Sequence, residues 1–179
     1  MPRRPDELSY RRRPGGSARL TVYVLDCSAS MLRHGRLALA KGLLADWFAE
    51  AARARSQVAL ICHGGRGARL VFGPAVPRWW NERWIQPIAG GGGTPLQAGL
   101  AMAETLLQRG HRRDPGLGLE LWLLSDEHCP AAGPPSLGSA SIIDVEPRGR
   151  MAGGARRLAH AWQAAYLQLT PQGLSQPGF

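Results

Sequence analysis

The stretch "ARLTVYVLDCSASM", Ala18 to Met31, decides how the rest of the chain is read. Its first half is apolar and rich in β-branched and aromatic residues, the pattern of a buried strand over Arg19 to Leu25. Its second half sets a carboxylate, a thiol and two hydroxyls within the five residues Asp26 to Ser30. In an extended loop alternate side chains point the same way, so Asp26, Ser28 and Ser30 would project together while Cys27 and Ala29 turn toward the protein. A plainer reading competes with this one: Asp26 ends a strand, and Ser28 or Ser30 caps the helix that follows.

Outward from this stretch, strand and helix signals alternate. "RLALAKGLLADWFAEAARAR" keeps helical spacing in Leu37, Ala40, Leu44, Trp47, Phe48 and Ala51. "SQVALICHG" reads as a second strand and "ARLVFGP" as its hairpin partner across the turn at Gly64 and Gly65. "RWWNERWIQPI" suits a short helix ending before Pro87. A glycine loop, Gly90 to Gly93, leads through Thr94 and Pro95 into a helix faced by Leu96, Leu100, Ala103 and Leu107. "LGLELWLLSDEH" is a central fourth strand, "ASIIDVE" a fifth, "ARRLAHAWQAA" a last helix and "YLQLT" a sixth strand. The tail "PQGLSQPGF" is turn-like. This order predicts a three-layer, doubly wound α/β fold. Its central sheet is mostly parallel, with one antiparallel edge strand. The predicted organisation is a basic arm over residues 1–18, one domain over 19–170 and a tail over 171–179.

In such sheets ligands bind beyond the carboxyl ends of the strands. Asp26, Ser28 and Ser30 follow the first strand, Thr94 ends the glycine loop, and Asp126 closes the fourth strand. If the first and fourth strands are neighbours, their loops share one crevice. All five residues offer hard oxygen, the donor type that suits Mg²⁺ or Mn²⁺. Two carboxylates neutralise one divalent ion, so a further carboxylate from a partner meets little repulsion.

These residues resemble those of the von Willebrand factor A (VWA) domains, from about Arg19 to Thr170. The metal-ion-dependent adhesion site of that family has D-x-S-x-S in a first loop, Thr in a second and Asp in a third. The matching positions here are Asp26, Ser28, Ser30, Thr94 and Asp126. The arginine-rich lead, "VYVLDCSASM", "RLALAKG", "SQVALICHGG" and "GGGTPLQAGLA" look most like the carboxyl-terminal VWA domain of the magnesium chelatase D subunit. That resemblance implies a non-catalytic subunit of a magnesium or cobalt chelatase-type complex, serving tetrapyrrole or cobalamin synthesis. Its partner would be an AAA+ ATPase, chelatase I-subunit-like or MoxR-type, offering an acidic residue to the metal. The large chelatase subunit is a further partner it implies.

Two departures stand out. Glu127 and His128 follow the third-loop aspartate where the family often has Gly, and either would lie near the site. The family also carries a helix between the fourth and fifth strands. Here "CPAAGPPSLGSA" is too short and too rich in Pro and Gly to form one, so the sheet is expected to be exposed on one face there unless the tail or a partner covers it.

Composition bounds the alternatives. The net charge is +9, and Lys41 is the one lysine in the chain. Five arginines precede the first strand and Arg19 opens it, against Asp6 and Glu7. A basic arm suits nucleic acid or an acidic protein partner, and the arginines make a basic nucleic-acid-binding module one alternative. No alternation of basic and aromatic residues accompanies them, so nucleic acid is not the expected partner. No apolar run reaches the ~20 residues of a membrane span. The charged N-terminus lacks a signal-peptide core, and a cytoplasmic location is expected. Cys62, His63, His128 and Cys129 carry residue types of a thiol hydrolase or zinc site but lack its spacing. Catalysis by the chain alone is therefore not expected. Nor is ATP binding, since Gly90 to Gly93 precede no G-K-[ST].

Overall fold

The first strand forms where its composition demands it. In a computed structural model, β1 runs from Arg19 to Asp26, and every residue from Leu20 onward is buried. The structure describes residues 18–65, 67–78, 90, 96–126, 133–146 and 153–176. The arm, Trp79, Trp80, Trp84 and the proposed short helix around them, Gly91 to Thr94, Glu127, His128 and Cys129 lie outside these residues.

The other strands are β2 (Gln57–Gly64), β3 (Gly67–Ala75), β4 (Gly118–Ser125), β5 (Ser139–Asp144), β6 (Ala165–Thr170) and β7 (Gly173–Ser175). They form one sheet in the order β3-β2-β1-β4-β5-β6-β7. β1 is parallel to both its neighbours, with Asp26 level with His63 and Leu25 level with Leu124. β3 is antiparallel to β2, as the short hairpin connection predicts. The tail is not merely a turn: Gly173–Ser175 pairs antiparallel with β6 and closes the opposite edge.

Among the described residues three α-helices sandwich the sheet: α1 (Arg36–Ala54), α2 (Leu96–Arg113) and α3 (Gly154–Trp162). The pleat sorts the core into two layers. Tyr23, Leu25, Val58, Leu60 and Leu124 meet Leu37, Leu44 and Phe48 of α1. Val22, Val24, Ile61, Leu121 and Ile142 meet Leu107 of α2 and Leu158 and Trp162 of α3. Each such large apolar side chain contributes about 1.5–3 kcal/mol when fully buried.

α1 therefore covers one face and α2 and α3 the other. The crossovers diverge on either side of β1, and this opens a crevice at the carboxyl ends of β1 and β4.

No helix appears between β4 and β5 among the described residues. The sheet is nevertheless not bare there, contrary to the sequence expectation. Ser136 bonds Glu104 of α2 through both its amide, at 3.0 Å, and its hydroxyl. Gly138, at φ +81°, passes so close that an added Cβ would lie 2.4 Å from the Leu119 carbonyl oxygen. Leu121 and Ile142 beneath are buried. Through these contacts residues 133–138 lie against α2 and the β4 backbone.

Candidate metal centre

Asp26 ends β1 with its side chain on the α2 side of the sheet and is completely buried. Its Oδ1 accepts from the Ser28 amide at 2.8 Å, and its Oδ2 accepts from the Ser125 hydroxyl at 2.8 Å. Two bonds from two elements fix the plane of this carboxylate.

Beyond Ser28 the chain is not extended. A 3₁₀ turn spans Ala29–Gly35, so the alternation that predicted Ala29 facing the protein fails: Ala29 is exposed. The hydroxyls converge all the same, because the tight turn brings Ser30 back beside Ser28. Their Oγ atoms lie 2.9 Å apart, and Ser30 donates to Asp126 Oδ1 at 2.8 Å. Ser28 occupies the N-cap position of this turn but makes no side-chain cap bond. Capping is therefore not what holds its hydroxyl. Cys27 turns inward as expected and is buried in the α1 layer.

Asp126 follows β4 and is buried. Its Oδ2 takes the Arg36 guanidinium through Nη1, a buried ion pair that the sequence reading did not find. Arg36 is the first residue of α1, preceded by Gly35 at φ +70°, a left-handed position natural to glycine. Ser125 was likewise missed. Its partner Asp26 is 99 residues away, and no local pattern signals such a pairing.

His63 is fully buried beside Asp26, with neither ring nitrogen hydrogen-bonded. Burial pulls its pKa below the ordinary histidine value, opposed by the Asp26 charge. Cys62 is buried in the other layer. A hydrogen bond with Cys27, followed by burial, raises its thiol pKa. A raised pKa disfavours the nucleophilic thiolate. Among the described residues no three His, Cys, Asp or Glu groups converge as a metal site.

The crevice thus brings together Asp26, Ser28, Ser30 and Asp126, while Thr94, Glu127 and His128 lie outside the described residues. All of these side chains offer hard oxygen, the donor type that suits a small hard cation. The Ser28–Ser30 and Ser30–Asp126 separations, 2.9 and 2.8 Å, are ordinary hydrogen-bond lengths.

A parallel sheet of this order, with D-x-S-x-S and a second aspartate at its crevice, defines a VWA-type domain. The von Willebrand factor type A domain family matches residues 21–126, and the chain belongs to it. Among curated proteins it is similar to the magnesium-chelatase 60 kDa subunit of Rhodobacter capsulatus, 32% identical over 120 residues. That match covers 67% of this chain and 21% of the subunit. It is also similar to an uncharacterized protein of Mycobacterium tuberculosis, 28% identical over 165 residues, covering 92% of this chain and 26% of that protein. The chain thus spans about a fifth to a quarter of the length of these relatives.

Two solved structures share the fold. One is the SpRpn10 VWA domain, with TM-score 0.60, 11% identity, and coverage of 87% of this chain and 90% of that one. The other is an aerotolerance-related membrane protein of Bacteroides fragilis, with TM-score 0.64, 14% identity, and coverage of 86% and 92%. Among the described residues, no helix here is long and apolar enough to cross a membrane.

Proposed function

We propose that this chain is a non-catalytic VWA subunit of a metal-chelatase-type complex. Asp26, Ser28, Ser30, Thr94 and Asp126 would hold Mg²⁺ or Mn²⁺. When bound, the cation supplies an electrophilic open position for an acidic side chain of an AAA+ ATPase partner. The carrying observation is that the Ser28 and Ser30 hydroxyls turn on each other and on Asp126 instead of capping the turn. Similarity to magnesium-chelatase subunits supports the assignment to that kind of complex.

The chain's own residues do the positioning. Ser125 and the Ser28 amide hold the Asp26 carboxylate in one orientation. Ser30 does the same for Asp126. Few protein charges and several neutral hydroxyls make a weak, open site, which suits a carboxylate captured from outside.

Asp26→Ala should abolish Mn²⁺ binding in calorimetric titration while circular dichroism stays native. Asp26→Asn, which keeps the bond to Ser125, should do the same. Wild-type protein on beads should recover an AAA+ ATPase from native lysate with Mg²⁺ and lose it with EDTA. Unchanged metal affinity in both variants, or recovery of RNA in place of the ATPase, would refute the proposal.

A further inference from the structure

The metal reading leaves Arg36 unexplained. A cation in the first turn of a helix faces the positive end of the peptide dipoles, where acids are favoured. The first turn of α1 contains no acid. Arg36 is also buried, and among the described residues its Nε has no hydrogen-bond partner. Structural arginines in interiors are held by spending most of their donors. This one is held through Asp126 and left partly unsatisfied.

Asp126 is in turn divided. Its Oδ1 accepts from Ser30, a proposed metal-binding hydroxyl, and its Oδ2 takes the guanidinium. Among the described residues the crevice therefore carries two carboxylates and one guanidinium. These three groups together carry one negative unit before a divalent cation enters and one positive unit after.

Resting on the function proposed above, we propose that Arg36 is a resident competitor for the cation. It holds Asp126 when no metal is present and weakens the site's affinity for the bare ion. The loaded site keeps one positive charge, and an incoming carboxylate neutralises it. Metal and acidic ligand then bind cooperatively, each raising the affinity of the other by the same factor.

The test titrates Mn²⁺ alone into the folded chain by calorimetry. Arg36→Gln removes the charge and should tighten Mn²⁺ binding at least about tenfold, the order expected for one charge near a divalent ion in a partly buried site. Arg36→Lys keeps a positive charge beside Asp126 and should bind Mn²⁺ more weakly than Arg36→Gln. Folded Arg36→Gln with unchanged or weaker affinity overturns the proposal, as does Arg36→Lys tightening equally. If Arg36→Gln does not fold, the wild type decides. Its Arg36 Nε–H resonance should shift with Mg²⁺ in step with binding, and a resonance that stays in place overturns the competition. Equal binding by wild type and Arg36→Gln removes this inference alone. Binding by neither removes the cation itself, and the proposed function with it.

Discussion

Gly64 shows how narrowly the crevice is built. It ends β2 opposite the first loop, and a Cβ there would lie 2.8 Å from the Cys27 carbonyl oxygen and 2.9 Å from its carbon. Both atoms are backbone, so the strand end would have to move. Cys27 also donates its amide to the His63 carbonyl at 2.7 Å, which ties the two strand ends together. Gly64→Ala should therefore cost about 1–3 kcal/mol in urea unfolding, the usual cost of overpacking. It should also weaken Mn²⁺ affinity, because Asp26 and Ser28 flank the displaced residue. A variant with native stability and native affinity would show that the loop tolerates the shift. At this scale the sequence was legible in residue types but not in pairings. D-x-S-x-S marks its own chemistry, whereas Arg36 acquires its role from a partner 90 residues away.

The segment between β4 and β5 is tied to α2 by one half-buried carboxylate, Glu104. Burial is the largest single influence and pushes the Glu104 pKa up, but the hydrogen bonds from Ser136 and Gln108 together outweigh it and hold the carboxyl below its ordinary range. A depressed folded pKa stabilises above the unfolded value and is lost as pH falls through the folded one. The Ser136 amide resonance should therefore hold its position as pH drops through the ordinary glutamate pKa of about 4.3. It should move only below that value, and Glu104→Gln should abolish the transition. A shift centred at the ordinary value would mean the bonds do not bear on the carboxyl.

Elements with strong periodicity were legible, such as α1, whose apolar stripe packs as its spacing predicts. The tail strand was not. "GLS" carries no strand pattern, and β7 exists because the β6 edge offers unpaired backbone groups. The 3₁₀ turn was missed for a related reason: backbone geometry sets it, and apolar spacing does not report it.

The whole domain bears on metal binding through mass action. A cation that binds the folded chain alone raises its apparent stability with concentration. Thermal melts of the wild type should move upward as Mn²⁺ rises, while melts of Asp26→Asn stay fixed. Parallel upward shifts in both would point to a site elsewhere. At this scale the doubly wound class and the adjacency of the first and fourth strands were legible, because both strands are strongly apolar and alternate with helices. The first and fourth strands do lie side by side.

That adjacency gives the crevice a history as well as a shape. Ser125 reaches Asp26 across 99 residues, and Ser30 reaches Asp126 across 96. During synthesis from the N-terminus, the first half of the site waits on the ribosome with no second half until β4 has emerged and docked. Whatever ligand the crevice recruits therefore selects finished molecules, and a chain truncated ahead of β4 is silent toward it.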